Sequence, residues 1–376
     1  MAGIYLHIPF CRQACVYCNF HFTTSLRNRN DFVTALLKEM ERRVDYLGGA
    51  VVDTVYFGGG TPSLLYPAEL AAILARLKTA FTLSDGAEIT LEANPDDMTD
   101  RQKVRDWRSA GINRLSIGIQ SFFNEDLKWM NRAHDAAQGE ACIRLAQEEG
   151  LDNISIDLIY GAPTLADDHW ETNVRKAIAL AIPHLSCYAL TVEPRTALDK
   201  MIRLKKSRDI SQDDQARQLL LLMDWTAAAG YEHYEIANFA LPGHRSRHNS
   251  AYWRGIPYLG LGPSAHSYNG SSREWNVADN ARYLAGLAAG DLPPAGKEIL
   301  TAVQQLNEYI MVSLRTLEGI DPAAVGRRFG SEKAADLLRR ARRYVREGWM
   351  TETDRLCLTN EGKLLADGIA ADLFFS

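Results

Sequence analysis

The stretch Tyr5 to Phe20 reads YLHIPFCRQACVYCNF and sets three cysteines, Cys11, Cys15 and Cys18, directly behind an apolar run of strand character. The number of thiols is informative. A structural zinc site is normally closed by four ligands, and an iron-sulfur cluster held by protein alone usually takes four thiolates. A 4Fe-4S cluster on three thiolates keeps one iron free to chelate a small molecule through an amine and a carboxylate. Two plainer readings stand beside it: a Cys3His zinc knuckle using His7 or His21, and buried free thiols.

Outward from this loop, the composition is that of an ordinary soluble globular protein, with 376 residues, 46% hydrophobic and 24% charged. That length accommodates two or three domains, or one barrel with an appendage. A formal net charge of -5 argues against broad electrostatic binding to nucleic acid, which needs basic surface to displace counterions. The start MAGIYLHIPF has no charged region of a signal peptide. The most apolar run, Leu219 to Met223, is short and bracketed by Asp213, Asp214 and Asp224, so a buried helix stripe is expected there and no transmembrane segment. The expected compartment is the cytoplasm, and six cysteines in so long a chain suit a metal site better than a disulfide framework.

Short β-branched runs alternate with segments of helical period. Strands are expected at Gly3–Ile8, Thr54–Phe57, Glu88–Glu92, Arg114–Ile119, Ile154–Tyr160 and Leu185–Leu190. Helices fall between them: Asp31 opens one that ends at Gly48, Pro67 takes a first helical position, and Thr99 caps one that stops at Gly111. Six strand-helix units in series imply a parallel sheet with helices outside it. The unusual residues gather at the carboxyl ends of these strands, the edge where parallel sheets bind ligands. They are the cysteines, Gly58 to Pro62, Glu92 with Asn94 and Pro95, Gln120 and Ser121, Asp157 with Tyr160 to Pro163, and Thr191 to Pro194.

The glycine run FGGGTP lacks the spacing and the lysine of a phosphate loop. Consecutive glycines let a backbone approach a ligand closely and offer carbonyls to an ammonium group; a tight turn closed by Pro62 is the plainer account. Glu92 ends an apolar strand, where a carboxylate can accept from ribose hydroxyls; an ion pair with a helix-borne arginine is its plainer role. Gln120, Arg132 and Asp157 present the same choice.

Taken together, YLHIPFC, FGGGTPS, LEANPD, LSIGIQSF, NISIDLIYGAP, YALTVEP and GLGPSAHSY resemble the radical S-adenosylmethionine group that contains oxygen-independent coproporphyrinogen III oxidase, over most of residues 1 to 270. The resemblance implies a partial (β/α)6 barrel carrying a 4Fe-4S cluster and S-adenosylmethionine. On it, Cys11, Cys15 and Cys18 match the cluster ligands, and Tyr5, Gly59 and Glu92 match positions lining the S-adenosylmethionine site. Gly60, Thr61, Gln120, Arg132, Asp157 and Ala189 match positions that hold a second such molecule in the oxidase. The oxidases carry a further cysteine where this chain has Phe20, and an amino-terminal extension before the first strand. Both differences favour the HemW-type subgroup, regarded as haem-binding chaperones that deliver haem to apoproteins, over the radical decarboxylation of propionates to vinyls. The segment His248 to Trp253, HNSAYW, matches the haem-associated motif of that subgroup; His248 could supply an imidazole to haem iron, with Tyr252 and Trp253 packed on the porphyrin. A loop histidine bonded to backbone is the alternative. No catalytic residue is assigned, and the implied partners are haem and client haemoproteins, such as a respiratory haem enzyme at the membrane.

Pro293-Pro294-Ala295-Gly296 reads as a linker, dividing a barrel of residues 1–292 from a small, mainly helical domain of residues 293–376. In that domain helices are expected at Leu300–Leu314, Pro322–Phe329 and Glu332–Arg346, followed by a hairpin, a winged-helix-like pattern. Its run of Arg339, Arg340, Arg342, Arg343 and Arg346 is interleaved with Glu332, Asp336 and Glu347, as on a solvated helix face. Cys142, Cys187 and Cys357 have no metal-ligand spacing and are read as small hydrophobes.

Overall fold

The computed structural model describes residues 1–376. Fourteen strands are present: β1 Ala2–Ile8, β2 Val52–Gly59, β3 Leu83–Ala93, β4 Arg114–Gln120, β5 Ile154–Tyr160, β6 His184–Ala189, β7 Glu232–Glu235, β8 Asn238–Ala240, β9 Tyr258–Leu261, β10 His266–Tyr268, β11 Ser272–Asn276, β12 Ala295–Ile299, β13 Met350–Glu352 and β14 Leu356–Leu358. The first twelve form one sheet, ordered β12-β11-β10-β9-β1-β2-β3-β4-β5-β6-β8-β7. From β9 through β1 to β6 every neighbouring pair is parallel, with helices in the crossovers, and antiparallel strands flank this block on both sides.

Each central strand sends alternate residues to opposite faces. In β1, Ile4, Leu6 and Ile8 are fully buried; in β5 the equivalents are Ile154, Ile156 and Leu158, and in β2 they are Val55 and Phe57. These join the helices in a core of 63 buried residues. The other set is polar or small: Gly3, Tyr5 and His7; Thr54, Tyr56 and Gly58; Glu88, Thr90 and Glu92; Ser155 and Asp157; His184 and Ser186. Strands covered on both faces are ordinarily apolar throughout. A polar inner face under an apolar outer one marks an interior built to receive polar groups.

The sheet is wider than the six strands expected. β9, whose last two residues open GLGPSAHSY, inserts beside β1 in register Tyr5 to Gly260, and its loop is tied to the first helix (Arg29–Arg42) by Glu39. That carboxylate, fully buried, accepts from Gly262 N, Asn276 Nδ2 and the Tyr283 hydroxyl at 2.7–2.8 Å. The expected linker is partly strand: Ala295 and Gly296 begin β12, which pairs with β11. The large sheet therefore runs a few residues past the expected boundary. Asp100, not Thr99, caps the helix Arg101–Ala110, accepting from Gln102 N at 2.9 Å, and Gly111 ends it in the left-handed region.

Residues 302–375 hold a second core of 16 buried residues, including Leu306, Ile310, Leu337, Tyr344 and Leu373. The helices Ala302–Leu314, Pro322–Phe329, Ser331–Arg346 and Ala366–Leu373 surround it with the β13-β14 hairpin. The module is joined to the free side of β7 by main-chain bonds from Ile236 N to Arg315 O and from Leu317 N to Tyr234 O, both 3.0 Å, and by the Arg315–Glu235 ion pair at 2.9 Å. In the arginine run, Arg339 and Arg340 pair with Asp336, and Arg343 lies 3.5 Å from Glu347. No helix of the chain is long and apolar enough to cross a membrane.

Candidate cluster and nucleoside site

The loop after β1 is held at many points. Cys11 N donates to Thr23 O and Thr23 N to Pro9 O; Val16 N donates to Met130 O, and Leu198 N to Val16 O. Asn131, with φ 58°, sends its side-chain amide to Ala14 O at 2.8 Å. Arg12 reaches Asp97 at 2.7 Å, fastening the loop to the turn after β3. A segment with so many main-chain partners is a pre-set scaffold for its three thiols.

Cys11, Cys15 and Cys18 are all free and partly exposed. Thr61 Oγ1 donates to Cys11 Sγ at 3.5 Å, and an Arg132 amino group donates to Cys15 Sγ at 3.4 Å. Burial, partly offset by Thr61, pushes the Cys11 thiol up to about 11, and Cys18 is raised by burial too. A bound metal overcomes this by displacing the protons. No three His, Cys, Asp or Glu side chains gather tightly enough around one point to hold a single metal ion. Three thiols carried on one loop are the donor set that would hold a 4Fe-4S cluster. Phe20, two residues beyond the third cysteine, is 68% exposed and offers no donor atom.

Behind the loop, the glycines of FGGGTP approach the protein itself. A Cβ on Gly58 would lie 2.9 Å from the Tyr5 and Tyr56 rings and 3.1 Å from Glu92 Oε1, and one on Gly60 would lie 2.6 Å from Phe10 O. Gly59 has φ 108°, a conformation side chains rarely adopt. The expectation that these glycines make room for a ligand is thus refined: they bring β2 against β1 and the cysteine loop. Gly59 N donates to Glu92 Oε2 at 3.2 Å, and the Tyr56 hydroxyl donates to Glu92 Oε1 at 2.8 Å. Tyr5 stacks on Tyr56 at 6.1 Å and contacts His7 Nδ1 through its hydroxyl at 3.2 Å.

Thr61 and Arg132 meet at Asn94, which donates to Thr61 Oγ1 at 3.1 Å and accepts from Arg132 at 2.7 Å. Arg132 also donates to Gly118 O at 2.7 Å, yet its Nε is buried with no partner. An orphaned guanidinium nitrogen beside the thiols suits a carboxylate such as that of S-adenosylmethionine. Gln120, at φ 67°, ends β4 with its amide 3.0 Å from where a Gly118 Cβ would stand. Asp157 lies in β5 opposite Gly118, and Ala189 ends β6 opposite Tyr160. The structure therefore gathers Tyr5, Gly59, Gly60, Thr61, Glu92, Gln120, Arg132, Asp157 and Ala189 along the edge that carries the cysteines.

His248 lies elsewhere. It is in the short helix Arg247–Trp253, which closes the opposite end of the sheet. Its ring is 1% exposed, with Nδ1 2.8 Å from Thr54 Oγ1 and Nε2 2.8 Å from the Tyr252 hydroxyl, and it stacks on Tyr56 at 5.0 Å. Burial lowers its pKa to about 3. Glu88 accepts from the main-chain N–H groups of Arg247 and His248 at 3.2 and 3.0 Å and anchors the helix. The expectation of an imidazole open to haem iron is corrected here, because both ring nitrogens are already engaged inside the fold. Tyr56 and Glu88 were absent from the sequence candidates. Strand alternation could have marked them, since they share the inward phase of Gly58 and Glu92.

Burial raises Glu92 and Asp157 to about 7, opposed by the Tyr56 hydroxyl at the first and by Ser186 and Arg132 at the second. Each carboxyl holds its proton to higher pH folded than unfolded. The stability this confers is complete below the ordinary carboxylate range and is lost as pH rises through about 7. Buried His7, His134, His233 and His248, all lowered by burial, work in the opposite sense. A difference measurement isolates the acid: Glu92→Gln is expected to gain stability over the wild type between pH 5 and pH 8, by on the order of 2 kcal/mol. Urea melts of both metal-free proteins across that range check it, and a difference independent of pH contradicts it.

Residues 5–177 match the model of the radical SAM superfamily, and residues 300–365 match that of the HemN C-terminal domain. The chain is 36% identical to heme chaperone HemW of Mycobacterium tuberculosis, covering 99% of this chain and 94% of that one. It is 30% identical to heme chaperone HemW of Bacillus subtilis, over 98% of each. Among solved structures, coproporphyrinogen III oxidase (HemN) from Escherichia coli, a radical SAM enzyme, superposes with a TM-score of 0.85 at 23% identity, covering 99% of this chain and 90% of that one. That likeness is one of fold.

Proposed function

We propose, for a chain that belongs to the heme chaperone HemW family within the radical SAM superfamily, that it binds a 4Fe-4S cluster, S-adenosylmethionine and haem, and transfers haem to client haemoproteins. One observation carries the reading: the match to chaperones named for haem runs through the barrel and the C-terminal module alike. Cys11, Cys15 and Cys18 would hold the cluster, whose chemistry when bound and reduced is cleavage of the sulfonium to a 5'-deoxyadenosyl radical. Tyr5, Gly59 and Glu92 would place the nucleoside. Gly60, Thr61, Gln120, Arg132, Asp157 and Ala189 would hold a second S-adenosylmethionine where one binds. In HNSAYW, His248 acts as a positioning residue, fixing the Tyr252 hydroxyl through Nε2, while Tyr252 and Trp253 meet the porphyrin. The reading places the protein in the cytoplasm, with clients such as a respiratory haem enzyme at the membrane.

The competing reading is an oxygen-independent coproporphyrinogen III oxidase. Phe20 weighs against it, as an exposed phenyl ring at the position of the oxidases' additional cysteine. The test is anaerobic reconstitution with iron and sulfide, then haem titration followed in the Soret region, then mixing with an apo-haemoprotein. Saturable haem binding and transfer are expected, with no protoporphyrinogen formed from coproporphyrinogen III. Turnover of coproporphyrinogen with formation of 5'-deoxyadenosine would replace the chaperone by the oxidase.

A further inference from the structure

A cavity of ≈ 690 Å³ opens between the helix Arg247–Trp253, the strands β9 to β11 and the C-terminal module, at the end of the sheet away from the cysteines. Its size is that of a small-molecule pocket. Its walls combine two kinds of side chain. Tyr252, Trp253, Tyr258, Tyr268 and Tyr309 present ring surfaces, with Tyr252 edge-on to Tyr258 at 4.6 Å. Six arginines face two glutamates in the same lining, within a chain whose net charge is -5.

The pairing of these arginines is uneven. Arg245 is held by Glu232 and Glu318, Arg273 by Glu308, and Arg247 lies 4.0 Å from Asp53. Arg254, Arg328 and Arg355 have no carboxylate within ion-pair distance: Arg254 Nε reaches only Ser250 O, and the Arg328 guanidinium lies over the Tyr309 ring at 5.4 Å. Arg273 Nε is buried in the lining with no partner. Like charges gathered in a partly enclosed space repel one another, and an anion relieves that repulsion. A guanidinium binds carboxylate through paired N–H donors, and aromatic walls accept a flat π surface.

We infer that this cavity seats a flat tetrapyrrole dicarboxylate, its ring among Tyr252, Trp253 and Tyr258 and its two propionates on Arg254, Arg328 and Arg355. The inference rests on the haem reading above and gives that reading a place. Because Arg328 and Arg355 belong to the C-terminal module and Arg254 to the barrel, the ligand bridges the two.

The test compares the reconstituted full-length wild type with an Arg254→Glu, Arg328→Glu, Arg355→Glu variant, titrating each with haem and with haem dimethyl ester. Haem affinity is expected to fall about tenfold or more in the variant. The ester should bind the wild type about as weakly and be indifferent to the substitutions. The corresponding triple glutamine variant, with an unchanged thermal midpoint, guards against misfolding and should show a smaller loss in the same direction. Haem binding unchanged by charge reversal, or ester binding as tight as haem, overturns the cavity assignment and leaves the chaperone reading standing. A wild type that binds no haem overturns both.

Discussion

Serine at Cys11, Cys15 or Cys18 is expected to leave a folded chain that retains essentially no iron or labile sulfide after anaerobic reconstitution. The loss should be nearly complete at each position, because a cluster already short of one protein ligand has no spare thiolate to recruit. Cys142 and Cys187 are buried at 2% and 1% exposure, and Cys357 lies in the C-terminal module, so none can substitute. The loop itself should survive, since its clamps are main-chain bonds and the Arg12 and Asn131 side chains. Iron and sulfide analysis beside far-ultraviolet circular dichroism separates the two effects. Cys357→Ser serves as the control that keeps the cluster, and retention of iron and sulfide in any of the three loop variants would contradict the ligand assignment.

A single methyl group at Gly60 should do nearly as much damage. Its Cβ would stand 2.6 Å from Phe10 O and 2.9 Å from Ile8 O, both main-chain atoms that cannot rotate aside. Gly60 N also donates to Ile8 O at 2.9 Å and Thr61 N to Phe10 O at 2.6 Å, so β2 and the cysteine loop are laced together there. Gly60→Ala must push the loop away from Thr61, with a cost of about 1–3 kcal/mol for an overpacked contact. The expected result is cluster content reduced severalfold and a lowered melting midpoint. Gly86→Ala is the matched control, because a Cβ there meets nothing within 4 Å. If Gly60→Ala reconstitutes as fully as Gly86→Ala, the packing account of FGGGTP fails.

Six of the seven parallel strands, β1 to β6, were legible because each is a short β-branched run between helical segments; Ile154–Tyr160 matches to the residue, four others to within two, and β3 begins five residues before its expected start, while the four-residue β9 did not show. The antiparallel flanks were not. β7 and β8 are four and three residues long and β10 is three, too short to show alternation, and their pairing depends on neighbours far away in sequence. The cysteine loop could be read directly, since its chemistry is local. His248 illustrates the limit. The motif around it is conspicuous, but whether an imidazole faces a cavity or the interior depends on Thr54, Tyr56 and Tyr252 closing around it. The arginines of the cavity come from separate elements, Arg254 beyond a barrel helix, Arg328 at a helix end and Arg355 before β14, so no stretch of sequence announces them together.

The twelve-stranded sheet does not close on itself: its order ends at β12 on one side and β7 on the other. Unpaired strand edges are templates on which a second copy of a chain can add, the first step of domain swapping or fibre growth. At β7 the C-terminal module occupies the vacant main-chain groups through Arg315 and Leu317. At β12 the protection is chemical: Pro293 and Pro294 precede a five-residue strand that carries Lys297 and Glu298. A neighbour attempting to extend that edge would have to align its own Lys297 and Glu298 with these charges and strip them of water. Prolines, charge and shortness are the features by which natural sheets discourage edge-to-edge pairing, and here they flank the exposed Ile299 at the strand's last position.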